Sequence, residues 1–286
     1  MKRSRWMSLL ALLTLLPLAS VRADTSLVAD GINKAIDAAQ RLRSLHGYGL
    51  RSYGASVIGA FVPVNGTFVW NFGLEKKQYI IVGAGDSGVK QLTITSAKKD
   101  TPDKIIDEVK DAAPAVFLDI KDDNAVMKIR LTLNSADGAS TEPHFVTFVA
   151  LENGGLSGSL EQLRTMAGAA GSQSPAGWQL DPTDNVSVYG VLLQPGDDQH
   201  FYRTFFDKTE YTITGVPSSN ASRLTLGVFE RQEDTNDGAK IVEDSGNSPV
   251  IHVPARAQYK GNVHFKVDST SDSAPAYALI TVLTKR

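Results

Sequence analysis

The chain has 286 residues, with 29 basic and 31 acidic side chains, a net charge of −2, and no cysteine. Nucleic-acid binding draws on clustered Lys and Arg that displace counterions, so a near-neutral chain without basic patches excludes that partner as an expectation. The lack of cysteine excludes disulfide stapling, so each folded unit has to be held by burial alone, which about 95 residues can achieve.

Residues 1–23 read as a secretory signal. Lys2, Arg3 and Arg5 form a basic start, and Met7 to Ala19 form an apolar stretch. That stretch falls short of the ~20 residues that cross a bilayer. Val21-Arg22-Ala23 then supplies small residues for cleavage after Ala23. An uncleaved anchor is the rival reading. Losing this segment removes four basic and no acidic residues, leaving a net charge of −6. A soluble, periplasmic or extracellular protein is expected, because a cysteine-free exported chain suits a bacterial periplasm or beyond.

Residues 24–52 hold a helix and a linker. Leu27, Ile32, Ala35, Ile36, Ala39, Leu42 and Leu45 recur at helical spacing, with Asn33, Lys34, Asp37 and Gln40 between them. Asp30 is a candidate cap for a shorter helix. From Ser56 the period changes to two. Phe68/Trp70/Phe72, Tyr79/Ile81, Leu92/Ile94 and Met127/Ile129/Leu131/Leu133 alternate, and Phe145 to Val149 closes the unit. Asn65-Gly66, Gly83 to Gly88, Asp122-Asp123-Asn124 and Asp137-Gly138 punctuate the runs, as in an antiparallel sandwich spanning residues 53–151. Lys99 to Asp111, charged and containing Pro102, reads as a loop or a short helical turn.

Residues 152–184 connect. Ser159-Leu160-Glu161-Gln162 fits a capping box opening a short helix through Ala170. A second sandwich then occupies residues 185–286, with strands around Leu224/Leu226/Val228, Val250 to Val253, Val263/Phe265/Val267 and Tyr277 to Leu283.

The second sandwich repeats the first. Ser56-Val57-Ile58-Gly59 returns as Ser187-Val188-Tyr189-Gly190, Lys76 to Gly83 as Lys208 to Gly215, and Leu92-Thr93-Ile94 as Leu224-Thr225-Leu226. Lys104 to Glu108 matches Lys240 to Asp244, and Pro143-His144-Phe145 matches Pro275-Ala276-Tyr277. A period this long means two copies of a whole domain rather than a solenoid. The fold class expected is mainly β, two tandem antiparallel jelly-roll-like β-sandwiches, each preceded by a short α-helix. Tyr79 should sit over Tyr211 and Leu92 over Leu224, all pointing inward. The helices should pack on sandwich edges or between domains, burying Leu27, Ile36 and Leu42. One continuous sheet across both halves, or Tyr79 and Tyr211 in non-equivalent places, would count against the repeat.

Three cues are shared by the copies: an aromatic strand before a turn, the Lys-x-x-Tyr stretch at Lys76 and Lys208, and the Leu-Thr-Ile/Leu strand. In these the repeat resembles the bacterial pre-peptidase C-terminal domain family. That resemblance implies compact jelly-roll-like sandwiches, generally non-catalytic, found on secreted hydrolases and stand-alone exported proteins. The family's acidic Asp-Leu-Asp-type strand is replaced here by Val89 to Ile94 and by Ser222 to Leu226, which departs from any family-type acidic pocket.

No catalytic constellation is legible. Gly85-Asp86-Ser87-Gly88 looks like a protease nucleophile segment, but the trypsin-like order needs His and Asp before the Ser, and only His46 precedes Ser87. It reads as a turn. Asp234-Thr235-Asn236-Asp237-Gly238 resembles the opening of a calcium loop with its glycine one residue early, and calcium there stays open. Asp122-Asp123 and Asp197-Asp198 read as turn residues. Of the histidines at 46, 144, 200, 252 and 264, His252 and His264 could neighbour each other as a zinc pair, but the first copy has Phe117 and Lys128 near the aligned places, and zinc needs more ligands. The aromatics Phe68/Trp70/Phe72 and Phe201/Tyr202/Phe205/Phe206 read as core, and Trp178 as inter-domain packing.

No catalytic, cofactor-binding or metal-ligating residue is assigned, and no cofactor is expected. The function expected is an exported, non-catalytic binding or accessory protein that presents duplicated sandwiches to a protein or polysaccharide. The alternatives are a secreted hydrolase with a site between the copies, or a structural envelope component. A binder of the duplicated kind should show matching exposed aromatics or charges in both copies, since paired weak sites gain avidity.

Overall fold

The computed structural model describes residues 26–42, 46–138, 142–156, 158–173, 175–232, 237–270 and 274–285. The signal segment and residues 234–236 of the acidic loop lie outside the described residues. The fold is mainly β, with antiparallel sheets stacked as a sandwich.

The first half runs α1 (Ser26–Arg41), β1 (Tyr48–Leu50), β2 (Ala55–Val62), β3 (Thr67–Leu74), β4 (Gln78–Gly85) and β5 (Val89–Lys98). It continues with β6 (Ile105–Asp111), β7 (Ala115–Asp119), β8 (Ala125–Ala136) and β9 (His144–Asn153). The second half runs α2 (Ser159–Ser172), β10 (Trp178–Leu180), β11 (Val188–Leu193), β12 (Asp198–Phe205), β13 (Tyr211–Pro217) and β14 (Ala221–Arg231). It closes with β15 (Asp237–Gly246), β16 (Val250–Val253), β17 (Tyr259–Thr270) and β18 (Ala276–Lys285). Adding nine to each strand label of the first half yields the second. The sheet order β2-β9-β4-β7 becomes β11-β18-β13-β16, and β3-β8-β5-β6 becomes β12-β17-β14-β15.

The expected separation of the two copies is corrected. β2 and β11 pair antiparallel, so the larger sheets fuse into one of ten strands, counting β1 on β9 and β10 on β18. The register explains why this leaves the repeat intact. Val57 opposes Gly190, the repeat equivalent of Gly59, and Gly59 opposes Val188, the equivalent of Val57, so the pairing is reciprocal about Ile58 and Tyr189. Such reciprocity is the mark of a two-fold seam. β2 is buried at every position, as is β11. Either strand left as an open edge would offer unpaired N–H and C=O groups along an apolar ribbon. Space at the seam is made by glycine: a Cβ on Gly59 would press on the Phe145 ring at 2.5 Å, and one on Gly190 would lie 3.1 Å from the Tyr277 hydroxyl.

The ten-stranded sheet is covered on both faces. One apolar cluster, including Ile58, Tyr79, Phe148, Tyr189, Tyr211 and Leu224, runs unbroken between it and the two four-stranded sheets. A second cluster joins Val57, Ile80, Val149, Val188 and Leu279 to the helices. The helices therefore lie on the sheet face, not on sandwich edges. The buried stripe of α1 is Val28, Ile32, Ala35, Ile36 and Ala39, while Leu27 and Leu42 stay only partly buried. α1 already runs from Ser26, so Asp30 is an interior residue and not a cap. In α2, Ser159 caps nothing. Gly158 holds the N-cap place, and the buried Ser159 hydroxyl accepts from the Leu50 amide at 2.9 Å, tying α2 to β1.

Lys99 to Asp111 is also corrected. Residues 105–111 form β6, an edge strand whose exposed Ile105 and Ile106 obscure its alternation. Tyr79 and Tyr211 do take equivalent places, each 1% exposed. Their hydroxyls accept from the amides of Glu75 (3.1 Å) and Phe206 (3.0 Å).

Candidate functional site

β12, β17, β14 and β15 form the second half's outer sheet, and alternation turns every second side chain of each strand to the face away from the ten-stranded sheet. Asp198, His200 and Tyr202 project from β12, Asn262 and His264 from β17, and Phe229 and Arg231 from β14. The β12–β17 register sets His200 directly opposite His264, and their rings stack at 4.9 Å and 18°. Phe229 meets the His264 ring edge to face at 4.8 Å, and the Arg231 guanidinium lies 4.5 Å over the exposed Tyr202 ring.

Carboxylates hold the centre of this patch. His264 Nδ1 is 3.0 Å from Asp198 Oδ1, and its Nε2 is 3.0 Å from Asp237 Oδ1. Asn262 Nδ2 donates to Asp237 at 2.7 Å. Partial burial opposes ionisation of Asp237, but the hydrogen bonds from Asn262 and His264 and the two imidazoles outweigh it, holding its carboxyl below the usual range. A carboxylate oxygen therefore faces each ring nitrogen of His264. A catalytic histidine needs one nitrogen on its orienting carboxylate and the other on the nucleophile. Here the second carboxylate takes the nucleophile's place. Metal chelation fits no better, because stacked rings run parallel and do not converge on one ion. Among the described residues there is no group of three or more His, Cys, Asp or Glu side chains arranged to hold a metal.

The other sequence candidates scatter. His252 lies on β16 in the ten-stranded sheet, bonded to Thr212 Oγ1 at 2.8 Å, away from His264 in the opposite layer. Trp178 sits on β10, partly buried against the helix-side apolar cluster, with its ring 6.0 Å from His252. Asp123 accepts from the Lys76 amide and Asp197 from the Gln194 amide, as turn residues do.

Gly85 to Gly88 turns from β4 to β5 around buried Asp86, whose carboxylate accepts from the Gly88 amide (2.8 Å) and the Phe145 amide (2.9 Å). His144 brings Nδ1 to 3.2 Å from Asp86, a histidine–aspartate pair that chain order alone conceals. Its Nε2 lies 3.1 Å from the Asp137 carbonyl and so faces no nucleophile. In the second half Ser218 takes Asp86's part, accepting from the Tyr277 amide at 2.8 Å.

No known family model matches the chain, and no curated protein matches it. Among solved structures it is similar to the PBSX exported protein XepA, at 8% identity over 83% of this chain and 88% of that one, with a TM-score of 0.26. It is also similar to the M60 catalytic domain with two CBM51 domains of Clostridium perfringens ZmpB, at 10% identity over 84% and 37%, TM-score 0.22. A third is the broad bean stain virus structure, at 7% identity over 86% and 94%, TM-score 0.25. Likeness this faint carries no functional meaning.

Proposed function

We propose that the chain is an exported, non-catalytic binding protein whose second half presents its outer sheet face to a protein or polysaccharide. One observation carries this reading. On a scaffold repeated strand for strand, the aromatic and titratable patch is found, among the described residues, in one copy only. The strand registers align His200, Tyr202, Phe229 and His264 with Val69, Asn71, Ala97 and Arg130. Packing of the fold demands none of these outward residues, so a site grafted on one copy accounts for the difference. Tyr202 offers an exposed ring with a guanidinium above it, a combination that recurs at recognition hot spots.

Paired, matching sites are not part of this proposal. The exposed aromatic side chains among the described residues are Tyr53, Phe117 and Tyr202, and Phe117 and Tyr202 align with His252 and Asn71. The resemblance to pre-peptidase C-terminal domains belongs to the same reading, as modules that accompany rather than catalyse. The test is a screen of the protein from Asp24 onward against polysaccharide and envelope-extract arrays, repeated with Tyr202→Ala, Phe229→Ala and Arg231→Ala. Binding that falls tenfold or more with unchanged melting supports the proposal. Ligand retention in all three variants overturns the site, and turnover of ester, peptide or glycoside substrates that one substitution abolishes overturns the non-catalytic reading.

A further inference from the structure

The two helices occupy the same place on the repeat, and their buried residues match at a constant offset. Ile32, Ala35, Ile36 and Ala39 of α1 answer Leu163, Met166, Ala167 and Ala170 of α2. By the same offset Asp30 answers Glu161, Gly31 answers Gln162 and Lys34 answers Thr165. Along the strands, Asp86 answers Ser218.

In the first half a side chain of α1 spans the gap to the turn after β4. Lys34 lays its stem along α1 and donates from Nζ to the Asp86 carbonyl. Its partial burial lowers its pKa, against the attraction of Asp86 and Asp30. α1 can approach closely because Gly31 has no side chain: a Cβ there would lie 3.1 Å from the Phe145 ring. In the second half Gln162 stands in the place of Gly31 and Thr165 in the place of Lys34, and Thr165 Oγ1 donates back to the Glu161 carbonyl at 3.1 Å rather than to the strand. What remains is a groove of about 400 Å³ lined by Glu161, Gln162, Thr165, Met166, Val216 and Ser218.

The groove keeps the polar ends of the Lys34 site. The Ser218 carbonyl accepts from the Ala221 amide at 3.0 Å, as the Asp86 carbonyl accepts from Val89 at 3.2 Å, which leaves one lone pair where Lys34 binds in the first half. Glu161 replaces Asp30 at the mouth. It lies 3.6 Å from Arg164 Nε and 3.4 Å from Gln40 Nε2, and its side chain is 70% exposed. Ser218 does not replace the Asp86 carboxylate, so the site is less acidic than its template.

From this internal template we infer that the α2–β13 groove receives a lysine side chain from a partner protein, its methylenes against Met166 and Val216 and its ammonium on the Ser218 carbonyl and Glu161. The site lies in the helix layer, on the opposite side of the ten-stranded sheet from the His264 patch, and stands or falls independently of it.

The test is a titration of the folded protein with Nα-acetyl-lysine-N-methylamide, followed by amide chemical shifts. The expected result is saturable, millimolar binding with shifts confined to residues 158–169 and 216–221. The Nε-acetylated compound and pentan-1-ol should give none. Thr165→Lys places in α2 the residue that α1 already carries, and should abolish the response. Glu161→Gln should weaken it several-fold at low salt, which keeps the inference testable if the lysine variant does not fold. Equal response to the neutral compounds, no response in the wild type, or undiminished binding in a folded Thr165→Lys protein overturns it. A response to free n-pentylammonium but not to the lysine amide overturns the protein-partner assignment.

Discussion

Ile58 and Tyr189 are the same position of the repeat, and they face each other across the β2–β11 seam. The pseudo-two-fold axis passes between them. Trp70 of the first half packs edge to face on Tyr189 of the second, with ring centroids 6.2 Å apart, so the core crosses the axis as well as the hydrogen bonds. This is the geometry of a symmetric dimer carried on one chain. Residues 26–156 expressed alone should therefore self-associate through β2, giving dimers or aggregates by light scattering. A stable, well-dispersed monomer would refute the seam's role.

A buried guanidinium sits beside each of the equivalent tyrosines, supplied from a different place in each half. In the first half Arg51, just past β1, lies 5.7 Å from the Tyr79 ring and donates to the Ala55 carbonyl at 2.8 Å. In the second half Arg203 on β12 lies 5.1 Å from the Tyr211 ring, and Asp181, just past β10, is its ion partner. Both members of this pair are 1% exposed. Asp181→Ala should thus cost about 3–5 kcal/mol in denaturant unfolding, because it strands a buried charge. The double variant Asp181→Leu with Arg203→Met should recover much of that loss. Equal loss in both would show that the charge is not the cause.

The duplicated sandwich was legible because alternation and turn residues repeat in sequence, and Tyr79 and Tyr211 anchor the alignment. The seam was not, for a physical reason. Gln78-Tyr79-Ile80-Ile81-Val82 and Ser56 to Val62 are apolar at nearly every position, the mark of strands buried on both faces, yet an alternating reading assigns only one face to the core. Covering the second face is what the helices do. The His200–His264 stack was illegible because it depends on strand register, which no local pattern sets. Its only trace is that both histidines stand in the outward phase of alternating strands.

Tyr189 makes the seam sensitive to alkali. Burial pushes its phenol up to about 12, opposed weakly by Arg51, against about 10 for an unfolded tyrosine. Between these values the unfolded chain loses a proton that the folded chain keeps. Stability then falls as pH rises, by about 1.4 kcal/mol per pH unit from this group. Tyr189→Phe should flatten the fall above pH ~10 by one proton's worth. Tyr259 and Tyr277 are raised by burial too, so a slope remains. An unchanged slope in urea titrations across that range would rule Tyr189 out.

Tyr79 and Tyr211 lie on β4 and β13, five strand spacings apart in the fused sheet, about 24 Å at the usual interval. Removing either hydroxyl by Tyr→Phe deprives the Glu75 or Phe206 amide of its acceptor and should cost about 1–3 kcal/mol. Truncation to Ala should cost about 3–5 kcal/mol. The Tyr79→Phe and Tyr211→Phe losses should add within about 0.5 kcal/mol at this separation. They should also shift one shared unfolding transition, because a continuous sheet and an unbroken core couple the halves. Calorimetry that resolves two transitions, with each variant moving only one, would show that the seam fails to couple them.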